Sequence, residues 1–148
     1  IHTSAGCLGV LICWDQWFPE AARIMSLNGA EILIYPTAIG WAANEPTEIY
    51  ERQKNSWMIS MQGHAIANRV FSMAVNRIGI EGELTFWGHS FVAAPDGFLI
   101  EDLSPKHHGF QITSIDLSEI EENRHWWPHF RDRRIDQYQD ILKIWGTP

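Results

Sequence analysis

The chain has 148 residues, 11 Lys and Arg against 18 Asp and Glu, a net charge of −7, two Cys and eight Trp. Its 45% apolar and 20% charged shares are those of a globular domain, which excludes disordered and low-complexity classes. No apolar run approaches the ~20 residues of a membrane span, and the acidic balance is opposite to the basic footprint of a nucleic-acid binder. Neither a membrane nor a nucleic acid is therefore an expected partner.

The first predicted element is a continuous apolar run over 8–13, read as a strand buried on both faces. Pro19 and Glu20 open a helical pattern over 19–27, where Pro suits the first turn and an acidic residue suits the positive end of the dipole. Asn28-Gly29 supplies the stop. A second apolar strand covers 31–36, a loop with Gly40 and Pro46 covers 37–46, and a long helix covers 47–68. The run 70–76 is a third strand, followed by a turn containing Gly79 and Gly82. Strands over 88–94 and 97–100 flank the hairpin signal Pro95-Asp96-Gly97. A further strand is predicted over 110–115, a helix start over 116–122, and a helix over 135–145 from the spacing of Ile135, Tyr138, Ile141, Leu142 and Trp145.

This βαβαβ order followed by antiparallel strands predicts an α/β layered architecture with a mixed sheet, parallel first and antiparallel later. Nothing in the composition marks a second domain. Cys7 and Cys13 lie six residues apart in an extended segment, ~20 Å at ~3.3 Å per residue. A disulfide needs its Cα atoms within ~7 Å. Two free thiols are expected, which suits a reducing cytoplasm. Cys7 reads as a small buried apolar residue.

Cys13 ends a buried strand a few residues before a helix start. In open α/β sheets, sites form at the carboxyl ends of strands. A nucleophile on such a turn is held exposed, with backbone N–H groups near enough to bind an oxyanion. The residues Gly9-Val10-Leu11-Ile12-Cys13-Trp14-Asp15-Gln16-Trp17-Phe18-Pro19-Glu20 closely resemble the nucleophile segment of the nitrilase superfamily, carbon–nitrogen hydrolases of nitriles, amides and carbamoyl-amines. Similar stretches are Ala21-Ala22-Arg23, Gly29-Ala30-Glu31, Tyr35-Pro36-Thr37-Ala38-Ile39-Gly40, Met61-Gln62-Gly63-His64-Ala65, Asn68-Arg69, Asn76-Arg77-Ile78-Gly79 and Arg131-Asp132-Arg133-Arg134. The resemblance thus spans nearly the whole chain.

The resemblance implies an α-β-β-α layered sandwich, a homo-oligomer, and a catalytic set of Glu, Lys and Cys with no cofactor and no metal. Cys13 is then the nucleophile and the Trp14 backbone N–H an oxyanion donor. In the family, Glu and Lys precede the Cys segment. Only twelve residues precede Cys13, none of them Glu or Lys, and Lys54, Lys106 and Lys143 match no catalytic motif. The chain also begins Ile1-His2-Thr3, without Met or a signal pattern. Residues 1–148 are therefore expected to be one partial domain, the C-terminal part of a longer enzyme, and inactive alone.

The form Cys-Trp-Asp-Gln-Trp-Phe-Pro-Glu is similar to members acting on small carbamoyl-amines whose far end is an ammonium. Such a cation calls for a carboxylate or an aromatic face, and the loop after the second strand offers Glu45 and Trp41. Related hydrolases that hold a substrate carboxylate place Arg just after the Asp of the Cys segment. Gln16 and Trp17 stand there, which favours a substrate without a carboxylate. Glu20 with Arg69 is expected as a buried pair steadying the turn, since buried charges need partners, and Asn76 as a support for the Cys segment. His64 is read as a structural hydrogen-bonding group. His125 and His129 have the i, i+4 spacing of metal ligands, but Pro128 lies between them and no metal is expected. His107-His108 reads as a polar loop. Another amidase or nitrilase of the superfamily, and a non-catalytic α/β module, remain as alternatives.

Overall fold

A computed structural model of the chain describes residues 1–103 and 109–144. β1 (His2–Thr3) pairs antiparallel with β2 (Gly6–Val10). From β2 the chain passes through a 3-10 turn, Cys13–Trp17, into α1 (Pro19–Leu27) and then β3 (Ile32–Thr37). A short strand β4 (Gly40–Ala42) precedes α2 (Thr47–Asn68) and β5 (Phe71–Asn76). β6 (Ile78–Glu81), β7 (Leu84–Trp87), β8 (Phe91–Ala93), β9 (Leu99–Asp102) and α3 (Ser118–Trp126) follow.

The main sheet has the order β1-β2-β3-β5-β8-β9. Its centre β2-β3-β5 is parallel, and β8 and β9 join antiparallel. This is the mixed sheet that the element order predicts. Period-2 alternation splits each strand between two faces. Leu33, Tyr35, Ala74, Phe91 and Ala93 pack with Ala22 of α1 and with Trp57, Met61 and Ala65 of α2. Ile32 and Phe71 point the other way, toward Ile120 of α3. Gly9 permits the close approach of α1. A Cβ there would lie 3.0 Å from both Met25 Cβ and Leu33 Cδ2.

Several sequence expectations are corrected. The first strand ends at Val10, not at Cys13. The Asp15 carboxylate accepts from the Ile12 N–H at 3.2 Å and the Asp15 N–H donates to Ile12 O at 3.1 Å, so the chain leaves the ladder before Cys13. The stretch read as loop and Gly-rich turn contains a second sheet, β4-β7-β6. Gly40 is required in it, because a Cβ there would overlap the Thr85 backbone. The expected strand over 110–115 is irregular, with Phe110 and Ile112 exposed. Alternation assigns side chains to faces; it supplies no neighbouring strand. The expected C-terminal helix is a 3-10 helix, Ile135–Leu142, that buries none of its residues. Ile135, Tyr138 and Ile141 are spaced by threes, which matches 3.0 residues per turn. Trp145 and His107-His108 lie outside the described residues.

Candidate active site

Cys13 begins the 3-10 turn with φ of 50°, in the left-handed region. That conformation costs a non-glycine residue ~1–2 kcal/mol, and such outliers persist only where the surroundings hold them. Here Asp15 closes the turn from one side and Gln16 anchors it from the other. Gln16 is 1% exposed. Its Oε1 accepts from Trp57 Nε1 at 2.7 Å, its Nε2 donates to Thr37 Oγ1 at 3.2 Å, and its carbonyl lies 2.9 Å from His64 Nε2. Thr37, the last residue of β3, donates from Oγ1 to Cys13 Sγ at 3.5 Å. Both cysteines are free thiols and half-buried, Cys13 less exposed and Cys7 less buried than the sequence suggests.

Trp14 lies in the first turn of this 3-10 segment, where backbone N–H groups lack an intrahelical acceptor. The indoles of Trp14 and Trp17 form one wall of a cavity of about 770 Å³. Ile39, Gly40, Ile49, Trp87, Arg52 and Glu45 complete much of the rest. Glu45 Oε2 and Trp87 Nε1 are buried without hydrogen-bond partners among the described residues. Glu45 as a whole is half-buried on the cavity wall, which places a carboxylate where a bound cation would be attracted.

Trp41, expected beside Glu45, is not part of this cavity's lining. Its strand pairs with β7, which turns the ring onto Tyr50 at 4.7 Å and Trp87 at 5.2 Å. Its Nε1 donates to Tyr50 O, and Tyr50 Oη donates to Ala42 O. Trp41 thus braces the loop that carries Glu45. Trp87 and Arg52 line the cavity instead and were not singled out from sequence.

Arg69 does not pair with Glu20. It leaves α2 in a left-handed turn, φ 49°, that aims its guanidinium at Pro95 O, 3.2 Å away, and at His129 Nε2, 3.4 Å away. Glu20 is exposed at the start of α1. Asn76 holds the loop after β3 rather than the Cys segment. Its Oδ1 accepts from Ile39 N at 2.9 Å, and its Nδ2 donates to Ile39 O and Gly88 O at 3.0 and 2.9 Å. Lys54 pairs with Glu51 and Lys143 with Asp140, while Lys106 lies outside the described residues. Among the described residues no group of three or more His, Cys, Asp or Glu gathers as a metal-ligand set. Among the same residues no helix is long and apolar enough to cross a membrane.

Burial couples the protonation of His64 to folding. A carbonyl only accepts, so the contact to Gln16 O assigns the proton to Nε2. Burial pushes its pKa below the ordinary 6.5, opposed by the bond to Gln16 and the charge of Glu20. The unfolded chain therefore binds the proton more readily, and stability rises with pH across this window. The His64 contribution is complete above about pH 6.5 and is lost as pH falls toward the depressed folded value. Thermal midpoints measured from pH 7.5 to pH 5 are expected to fall less steeply in His64→Gln. An unchanged slope would show that His64 does not carry this dependence.

At the carboxyl end of the parallel strands the structure thus sets a cysteine with left-handed backbone in a turn whose Trp14 and Trp17 line a cavity shared with the half-buried carboxylate of Glu45. The chain belongs to the carbon-nitrogen hydrolase family, whose model matches residues 1–125. It is 46% identical over 154 residues to the N-carbamoylputrescine amidase of Solanum tuberosum, covering 99% of this chain and 50% of that protein. It is 42% identical over 140 residues to the citrullinase of Francisella tularensis, covering 92% of this chain and 48% of that protein. The crystal structure of a carbon-nitrogen hydrolase from Helicobacter pylori G27 superposes with a TM-score of 0.94 at 48% identity, covering 99% of this chain and 52% of that one. The chain thus spans about half the length of the curated relatives it matches.

Proposed function

We propose that this chain supplies the nucleophile and the substrate cradle for hydrolysis of a small carbamoyl-amine with a distal ammonium, N-carbamoylputrescine being the representative case. One observation carries the reading. Trp14 and Trp17, from the turn that strains Cys13, line the same cavity as the Glu45 carboxylate. The Cys13 sulfur attacks the carbamoyl carbon, and the C–N bond to the terminal nitrogen breaks. A proton delivered to that nitrogen releases ammonia and leaves a carbamoyl thioester. Water then cleaves the C–S bond, and the resulting carbamic acid divides into carbon dioxide and the free amine. The Trp14 N–H stabilises the oxyanion of each step.

Proton transfer needs a base and the oxyanion a cationic donor. The family's Glu and Lys fill these roles, and neither Lys54 nor Lys143 lines the cavity. The isolated chain is therefore expected to release no ammonia from N-carbamoylputrescine above a Cys13→Ala control. The nucleophile is tested separately by iodoacetamide, which should alkylate Cys13 several-fold faster than Cys7. Equal rates would overturn the assignment.

A second reading follows from Arg52, which lines the same cavity as Glu45. The pair suits a substrate carrying both ammonium and carboxylate, such as citrulline. Arg52→Gln would then weaken citrulline far more than N-carbamoylputrescine, whereas equal effects would leave the first reading alone. The family resemblance also supports a homo-oligomer, and the free thiols of Cys7 and Cys13 suit a reducing cytoplasm.

A further inference from the structure

We propose that Thr37 is a working part of this site: its hydroxyl donates to the Cys13 sulfur and aims it, with the direction of that bond set by Trp57 through Gln16. The proposal rests on Cys13 being the nucleophile. It adds a residue that family membership does not identify and that the reaction as written above leaves unused.

An indole N–H donates and never accepts. The 2.7 Å contact from Trp57 therefore fixes the Gln16 side-chain oxygen as the acceptor, and with it the orientation of the whole amide. The Gln16 NH₂ is then the group facing Thr37 Oγ1 at 3.2 Å, and it too only donates. One lone pair of the Thr37 oxygen is thereby occupied, and its proton is left to point at Cys13 Sγ, 3.5 Å away. A donor at the sulfur stabilises negative charge there, and successive hydrogen bonds in a buried chain polarise one another.

The unit is also stiff. Trp57 is fully buried, and Thr37 is locked in register opposite Asn76 of the neighbouring parallel strand. His64 fixes the Gln16 main chain from a separate turn of α2. A relay that served packing alone would have no reason to end on the one strained cysteine.

The test is the alkylation rate of Cys13 by iodoacetamide in this chain, with Cys7 as the internal reference. Thr37→Val keeps the shape and removes the donor. At pH 7 the Cys13 rate is expected to fall about fivefold, the fold-change that corresponds to one hydrogen bond, while the Cys7 rate holds. At pH 10, where ordinary thiols are ionised without help, the deficit should close. Thr37→Ser should restore the pH 7 rate, and it also serves if the valine variant folds poorly. Undiminished alkylation in Thr37→Val at pH 7, or the same deficit at both pH values, overturns the proposal. Equal labelling of Cys13 and Cys7 in the unsubstituted chain instead overturns the nucleophile assignment beneath it.

Discussion

Cys13→Ser, in an enzyme that joins this chain to the family's Glu- and Lys-bearing segment, is expected to lower kcat for ammonia release roughly 10⁴-fold or more, the scale on which nucleophile removal acts. KM should move by no more than about threefold, because the cavity walls from Trp14 to Glu45 are untouched. Serine is the stringent choice. It retains an attacking oxygen at the same position, but a hydroxyl is far less acidic than a thiol. Thr37 points a proton toward the reacting atom and is no base for it. Cys7→Ser, on β2 beside Glu31, serves as the control and should leave kcat unchanged. A Cys13→Ser enzyme retaining a tenth of its activity would sink the covalent mechanism.

The same position offers a stability measurement with the opposite sign. The left-handed backbone costs cysteine ~1–2 kcal/mol, against ~0.5–1 kcal/mol for the extra unfolded-state freedom of glycine. Cys13→Gly should therefore hold or raise the thermal midpoint while abolishing turnover, the pattern of strain kept for function. A clear drop in midpoint would show that the thiol is retained for packing.

What the sequence disclosed depended on how far apart the interacting residues lie. The 22-residue α2 has the bounds its pattern predicts, because Pro46 precedes it and the chain turns left-handed at Arg69. The Pro95-Asp96-Gly97 turn is local too, with Ala94 N donating to Phe98 O at 2.8 Å across it. The turn at Cys13 was legible because a strand and a helix start lie within a dozen residues of it. The second sheet was obscured by Gly79 and Gly82, although Ile78, Ile80, Leu84 and Phe86 alternate around a two-residue Gly82-Glu83 connection, a recognisable hairpin signal. The relay from Trp57 to Cys13 was not legible. Gln16 and Trp57 are separated by 41 positions, and nothing in a one-dimensional pattern says that a glutamine at the site turns inward. Glu20 and Arg69 failed as a pair for the complementary reason. Opposite charges suggest an ion pair, but the left-handed turn at Arg69 sends its side chain to the Pro95 carbonyl.

Glu45→Gln, in the joined enzyme, should raise KM for N-carbamoylputrescine about 30-fold or more, as expected when one member of a buried charge pair is removed at a cost of ~2–5 kcal/mol. The effect falls on KM because Glu45 meets the ammonium end and the bond that breaks is at the other end. That interaction is equal in ground and transition states, which is uniform binding. The unpartnered Oε2 sharpens the expectation. In the free protein Oε2 is enclosed without a donor while Glu45 as a whole is half-buried on the cavity wall, so part of the carboxylate's desolvation is already incurred before substrate arrives. Glutamine removes that cost as well as the attraction. A neutral analogue with a methyl group in place of the ammonium should consequently bind Glu45→Gln as well as, or better than, the unsubstituted enzyme. The two substrates together separate a charge contact from a general loosening of the loop braced by Trp41 and Tyr50, which would weaken both alike. Parallel losses for both substrates would remove Glu45 from the binding site, and an unchanged KM for N-carbamoylputrescine would remove the ammonium from the substrate.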